Sequence, residues 1–129
     1  MTQQEHFEYW LEIATRDWQA TQALSVKSGR SALVFAHWTL EKLSKALWVQ
    51  QHGQTPPATD PVSAVLAVTS FALTPTQLLF TLHLEAAHDD VLEPNPEQPL
   101  HLEESPQELL IQANALREQL LDALHLAAC

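Results

Sequence analysis

The sequence predicts an all-α fold, an up-and-down bundle of about five helices, four long and one short, in a single domain spanning residues 1–129. Three observations carry this. Only two glycines occur, too few for a turn-rich β protein. Apolar residues recur at three- and four-residue intervals over long stretches, the period of a helix with one buried face. Three proline pairs, Asp60-Pro61, Thr74-Pro75 and Ser105-Pro106, each place a capping residue before a proline at the start of an apolar periodic run. Proline suits the first helical position because the N–H it lacks would have no partner there.

The first helix is expected over about Gln4–Ser28. Phe7, Leu11, Ala14, Trp18, Thr21 and Ser25 form its stripe, widened by Trp10 and Leu24. Gly29 reads as its stop, because glycine enters the left-handed conformation without a Cβ clash. The second helix is expected over Ser31–His52, closed by Gly53. It is apolar on several sides (Leu33, Val34, Phe35, Trp38, Leu40, Leu43, Leu47, Trp48, Val49), which marks a central helix or one shared with a second subunit. The third, short helix is expected over Pro61 to about Phe71, the fourth over Pro75–Asp90 and the fifth over Pro106–Leu126. Leu109, Ala113, Leu116, Leu120 and Ala123 should face inward on the fifth. Thr74 with Gln77, and Ser105 with Glu108, fit the capping box, in which two side chains satisfy each other's backbone donors. Pro94, Pro96 and Pro99 keep the intervening segment out of a helix and predict an extended strap.

Charge narrows the function classes. The chain carries −10, unevenly spread. Residues 1–50 balance five basic side chains (Arg16, Lys27, Arg30, Lys42, Lys45) against five acidic ones, whereas the remainder sets Arg117 alone against 11 acids. Nucleic-acid affinity rests on Lys and Arg neutralising phosphates, so DNA is an unexpected partner, and any phosphate-bearing ligand belongs on the N-terminal half. The only cysteine, Cys129, allows no intramolecular disulfide. The first residues, MTQQEHFEYW, contain no signal-peptide core, and no apolar run approaches the roughly 20 residues that span a bilayer. A cytoplasmic location without membrane contact is the expectation.

The segment Phe35-Ala36-His37-Trp38-Thr39-Leu40-Glu41-Lys42-Leu43-Ser44-Lys45-Ala46-Leu47 resembles the central helix of the HEPN family. Gly53-Gln54-Thr55-Pro56-Pro57 resembles the family's glycine–proline loop, and Trp10, Ala14, Asp17 and Ala20 resemble its first helix. The resemblance covers about residues 7–92, with the fifth helix matching by position. It implies a small helical bundle that forms a homodimer. It also implies a minimal nucleotidyltransferase as protein partner, as in toxin–antitoxin pairs, and a nucleotide as ligand. Active family members are metal-independent ribonucleases using an Arg-x(4–6)-His motif. Where the family places that arginine and the residues after it, this chain has Ala87, His88 and Asp89; where the family places a loop histidine, it has Asp60. Exchanging a fixed cation for neutral and acidic groups disfavours phosphodiester chemistry.

The candidate site residues follow. Arg30 and His37 satisfy Arg-x6-His and lie seven residues apart, on one face of the second helix. A histidine base beside an arginine that stabilises phosphorane charge would be ribonuclease chemistry. The pair lies outside the place where the family keeps its motif, so packing or solvent-facing roles are preferred. Lys42 and Lys45, with Arg30 and Arg16, are the candidate ligand-binding patch for a nucleotide or acidic partner. The simpler reading makes them solvated lysines on an exposed strip, with Glu41–Lys45 a surface pair. His83 and His88 are five apart, about 140° around a helix, so with Asp89 and Asp90 they form a polar helix end rather than a metal site. Trp10, Trp18, Trp38 and Trp48 read as core or interface anchors. No Gly-rich phosphate loop and no Gly-x-Ser-x-Gly elbow occur, and no cofactor is expected. The resulting expectation is a non-catalytic, dimerising HEPN-like interaction module. The alternative is a HEPN ribonuclease toxin working through Arg30 and His37.

Overall fold

The computed structural model describes residues 2–54 and 61–128, with side chains as far as residue 124. Five helices run in the order α1 (Gln3–Ser25), α2 (Gly29–His52), α3 (Val62–Ala67), α4 (Pro75–Leu92) and α5 (Pro106–Ala128), and no strand occurs among the described residues. The all-α bundle of four long helices and one short one is therefore as expected. No helix among the described residues is long and apolar enough to cross a membrane.

α2 is the axle. It packs against each of the other four helices. Ala36, Leu40, Leu43, Ala46 and Leu47 are almost wholly enclosed and meet Leu84 of α4 and Leu109, Ala113, Leu116 and Leu120 of α5 in one core. Burying each such leucine contributes about 1.5–3 kcal/mol. The many-sided apolar pattern of α2 is thus explained inside one chain.

Helix starts follow local chemistry. Thr74 and Gln77 close the capping box in both directions, at 3.1 and 2.9 Å. The Ser105 hydroxyl accepts from Glu108 N at 3.2 Å, one arm of the expected box. Gly53 takes φ +74° and its amide donates to the Val49 carbonyl, the left-handed stop read from the sequence.

Gly29 is a correction. It is the first residue of α2, not the terminator of α1, and its φ is not positive. α1 ends at Ser25, where the amides of Lys27 and Ser28 both turn back to the Leu24 carbonyl. Ser28 caps α2 by accepting from Ser31 N. Glycine is needed at 29 because a Cβ would lie 2.9 Å from Pro106 Cβ, where α5 begins. α3 is corrected as well. Pro61 is its cap rather than its first residue, and Asp60 lies outside the described residues. The helix stops at Ala67 instead of Phe71 because the end of α2 takes over the following polar groups. Gln51 exchanges two hydrogen bonds with Ser70, and His52 Nε2 lies 2.7 Å from the Val68 carbonyl. The 93–99 strap is likewise not simply extended: Asn95 turns it, accepting from Glu97 N through its side chain and from Gln98 N through its carbonyl.

Candidate functional site

The titratable side chains gather on two sides of α2. Towards α1, Glu41 is the hub. Its Oε1 accepts from Lys42 Nζ at 2.9 Å and from Lys45 Nζ at 3.2 Å. The Trp10 ring covers both ammonium groups, at 5.9 and 5.0 Å from its centroid. The strip carrying these residues is not the exposed one expected: Lys45 retains 5% of its accessible surface. The reason is that 41 and 45 fall beneath α1, whose bulky Trp10 closes over them. Burial opposes the charge on Glu41, but the hydrogen bonds and charges of Lys42 and Lys45 outweigh it and hold the carboxyl below its usual range. Asp17 of α1 is pushed up by burial, with Lys42 opposing and Glu41 adding to the shift. Two carboxylates and two ammonium groups leave this cluster without net charge.

Towards α4, the His37 ring stacks on His88, centroids 4.4 Å apart, and Trp38 meets His88 edge-on at 5.9 Å. His37 is 7% exposed and neither ring nitrogen has a hydrogen-bond partner. Burial, then the neighbouring His88, bring its pKa down to about 4. The imidazole is therefore neutral at pH 7, and its 4.0 Å approach to Glu41 is not an ion pair there. His88 Nδ1 lies 2.9 Å from Asp89, while His83 Nδ1 lies 2.9 Å from Glu104. The two α4 histidines diverge, as their spacing predicted. Among the described residues, no group of three or more His, Cys, Asp or Glu side chains could hold a metal ion.

Arg30 lies on the same side of α2 as His37, but it donates to Asp90 at 2.8 Å, joining α2 to α4. It also stands at the edge of a cavity of about 640 Å³, which lies beneath the 93–99 strap between Leu33, Val91, Leu102 and Leu109. His37 does not line that cavity. The two members of the candidate catalytic pair thus occupy different surroundings, one exposed and paired with an acid, the other enclosed. A general base must reach the proton it removes.

The remaining cations are also engaged. Arg16 pairs with Glu12 at 2.6 Å. Arg117 stacks on Trp18, 4.6 Å from its centroid, and donates twice to Asn114. Of the six basic residues, Lys27 alone has no acidic or aromatic partner among the described residues. The charge count pointed to a basic patch; of these pairings only Glu41–Lys45 was expected, and it was expected on the surface. The signal for one of them was present: His37, Glu41 and Lys45 form an i,i+4 ladder, with Lys42 adjacent.

One surface stands apart. Leu78, Leu79 and Leu82 point outward from α4 at 42%, 53% and 48% exposure. The opposite side of the helix (Phe80, Leu84, Ala87) enters the core. α4 is thus apolar on both sides but covered on one.

No protein-family model, no curated protein and no solved structure matches the chain. The class defined by the fold and the site is a helical bundle in which five of the six basic side chains are engaged by acidic or aromatic partners of the same chain, with an uncovered leucine face on α4.

Proposed function

We propose that the chain is a non-catalytic, dimerising interaction module of HEPN-like build, acting with a nucleotidyltransferase partner. The observation that carries the non-catalytic part is the engagement of the cations. Arg30, Lys42 and Lys45 each bond to a carboxylate of the same chain, and His37 is enclosed. A nucleotide phosphate would have to displace Asp90 from Arg30 or Glu41 from the two lysines. That competition favours contact with protein over contact with phosphate. The outward leucines of α4 support an interaction role, since contiguous exposed apolar side chains mark docking surfaces.

The ribonuclease alternative requires Arg30 and His37 to act together. The test is expression of the wild type and His37→Ala, with RNA cleavage and growth measured for each. Equal, null behaviour of the two proteins is expected. Cleavage by the wild type that His37→Ala abolishes would overturn the non-catalytic reading.

A further inference from the structure

Residues 61–84 contain no Asp, Glu, Lys or Arg, in a chain where the remaining 105 positions hold all 22 such residues. The exposed leucines of α4 lie inside this uncharged stretch. Pro75, Leu78, Leu82, Ala86, Asp89 and Glu93 follow one line at three- and four-residue steps, flanked by Leu79. The line is apolar for its first three turns and acidic at its C-terminal end. The start of α4 presents the positive end of the helix dipole, at Thr74-Pro75.

We propose that this line binds a second copy of the chain, with the two α4 helices packed antiparallel about a two-fold axis at Leu82. The proposal rests on the dimerising reading above and supplies its surface. An antiparallel pair centred on Leu82 sets Ala86 against the partner's Leu78. Asp89, 68% exposed through its side chain, is set against the partner's Pro75. The acid of each copy thus meets the uncharged, dipole-positive helix start of the other. A parallel pair would bring Asp89 onto Asp89. The face is self-complementary in the sense a two-fold interface demands. It also brings two chains of charge −10 together along residues 75–84, which hold no Asp, Glu, Lys or Arg. An anionic ligand finds no cation on α4, which contains none. A contact of one helix on one helix falls at the small end of specific interfaces, so the dimer should be concentration-dependent.

Sedimentation of the chain between about 5 and about 500 µM tests this, the range over which a dimer of modest affinity forms and dissociates. The wild-type mass should rise from 14.5 kDa towards twice that value. Leu82→Glu places two carboxylates on the axis and should remain a monomer throughout, with helical circular dichroism and unfolding midpoint unchanged. Asp89→Lys should weaken association several-fold. Ile111→Glu, on the 71%-exposed flank of α5, should leave it unchanged. Should Leu82→Glu lose helix, Leu78→Lys makes the same test. A wild type that dimerises and a folded Leu82→Glu or Leu78→Lys that still dimerises would overturn the α4 surface while leaving the dimerising reading in place. A wild type that is monomeric throughout would overturn both.

Discussion

Replacing Glu41 by alanine distinguishes a surface ion pair from an enclosed one. An exposed i,i+4 pair contributes about 0.3–0.5 kcal/mol. Here one carboxylate oxygen holds two ammonium groups at 2.9 and 3.2 Å, under Trp10. At an effective dielectric constant of 20, each pair gains about 5 kcal/mol before desolvation. Desolvation takes back much of that gain, but truncating Glu41 does not return it, because Lys45 stays enclosed without its counter-charge. Removing one partner of a buried pair costs about 3–5 kcal/mol. With Glu41 itself 22% exposed through its side chain, about 3 kcal/mol is expected. In urea unfolding at pH 7, that is a midpoint shift of roughly 2 M at a slope near 1.5 kcal/mol/M. Lys45→Met should cost far less, since Glu41 keeps Lys42, and Glu41→Ala/Lys45→Met should recover most of the loss. The depressed Glu41 pKa sets the sign with pH: the contribution is present above about 4.5 and lost as pH falls through the folded value. A Glu41→Ala loss below 0.5 kcal/mol, or a double variant no more stable than the single, would refute the reasoning.

Three further outcomes are expected. Gly29→Ala should destabilise by about 1 kcal/mol, the overpacking against Pro106 exceeding the helix-propensity gain, and Gly29→Val by more; thermal unfolding checks both. Thr74→Ala removes the cap of α4 and should cost about 1 kcal/mol, with Thr74→Ser largely restoring it, read by chemical denaturation. His37 is neutral in the fold down to about pH 4, whereas the unfolded imidazole takes its proton near 6.5. Stability from this group is therefore full above 6.5 and lost as pH falls, by about 2 kcal/mol at pH 5. His37→Phe should lose less stability than wild type between pH 7.5 and 5, and an identical pH dependence of the two would contradict the burial of that ring.

What could be read from the sequence was what neighbours along the chain decide. Thr74 and Gln77 satisfy one another across three residues, and Gly53 takes its left-handed turn for reasons internal to the end of α2. The α2 stripe is wide because four helices surround it, and width is visible in periodicity alone. Gly29 was misread because its reason lies 77 positions away, at Pro106. α3 was drawn too long because Gln51 and His52, on another helix, compete for the polar groups at Val68 and Ser70.

The same division governs the site. The spacing of Arg30 and His37 predicted a shared side of α2, and both do lie towards α4. Spacing cannot say what stands opposite. Asp90 stands opposite Arg30, and His88 stands opposite His37, so one residue is neutralised and the other enclosed. Glu41 and Lys45 offered a second ambiguity, since an i,i+4 pair has the same sequence in water and beneath an indole. A charged ladder whose members are His, Glu and Lys, flanked by apolar residues on both sides, has little exposed surface left to occupy. On a helix as widely apolar as α2, such a ladder falls beneath a neighbouring helix, here α1 with Trp10. On α4 the converse holds: its second apolar side exceeds what one core can cover, so Leu78 and Leu82 stay exposed.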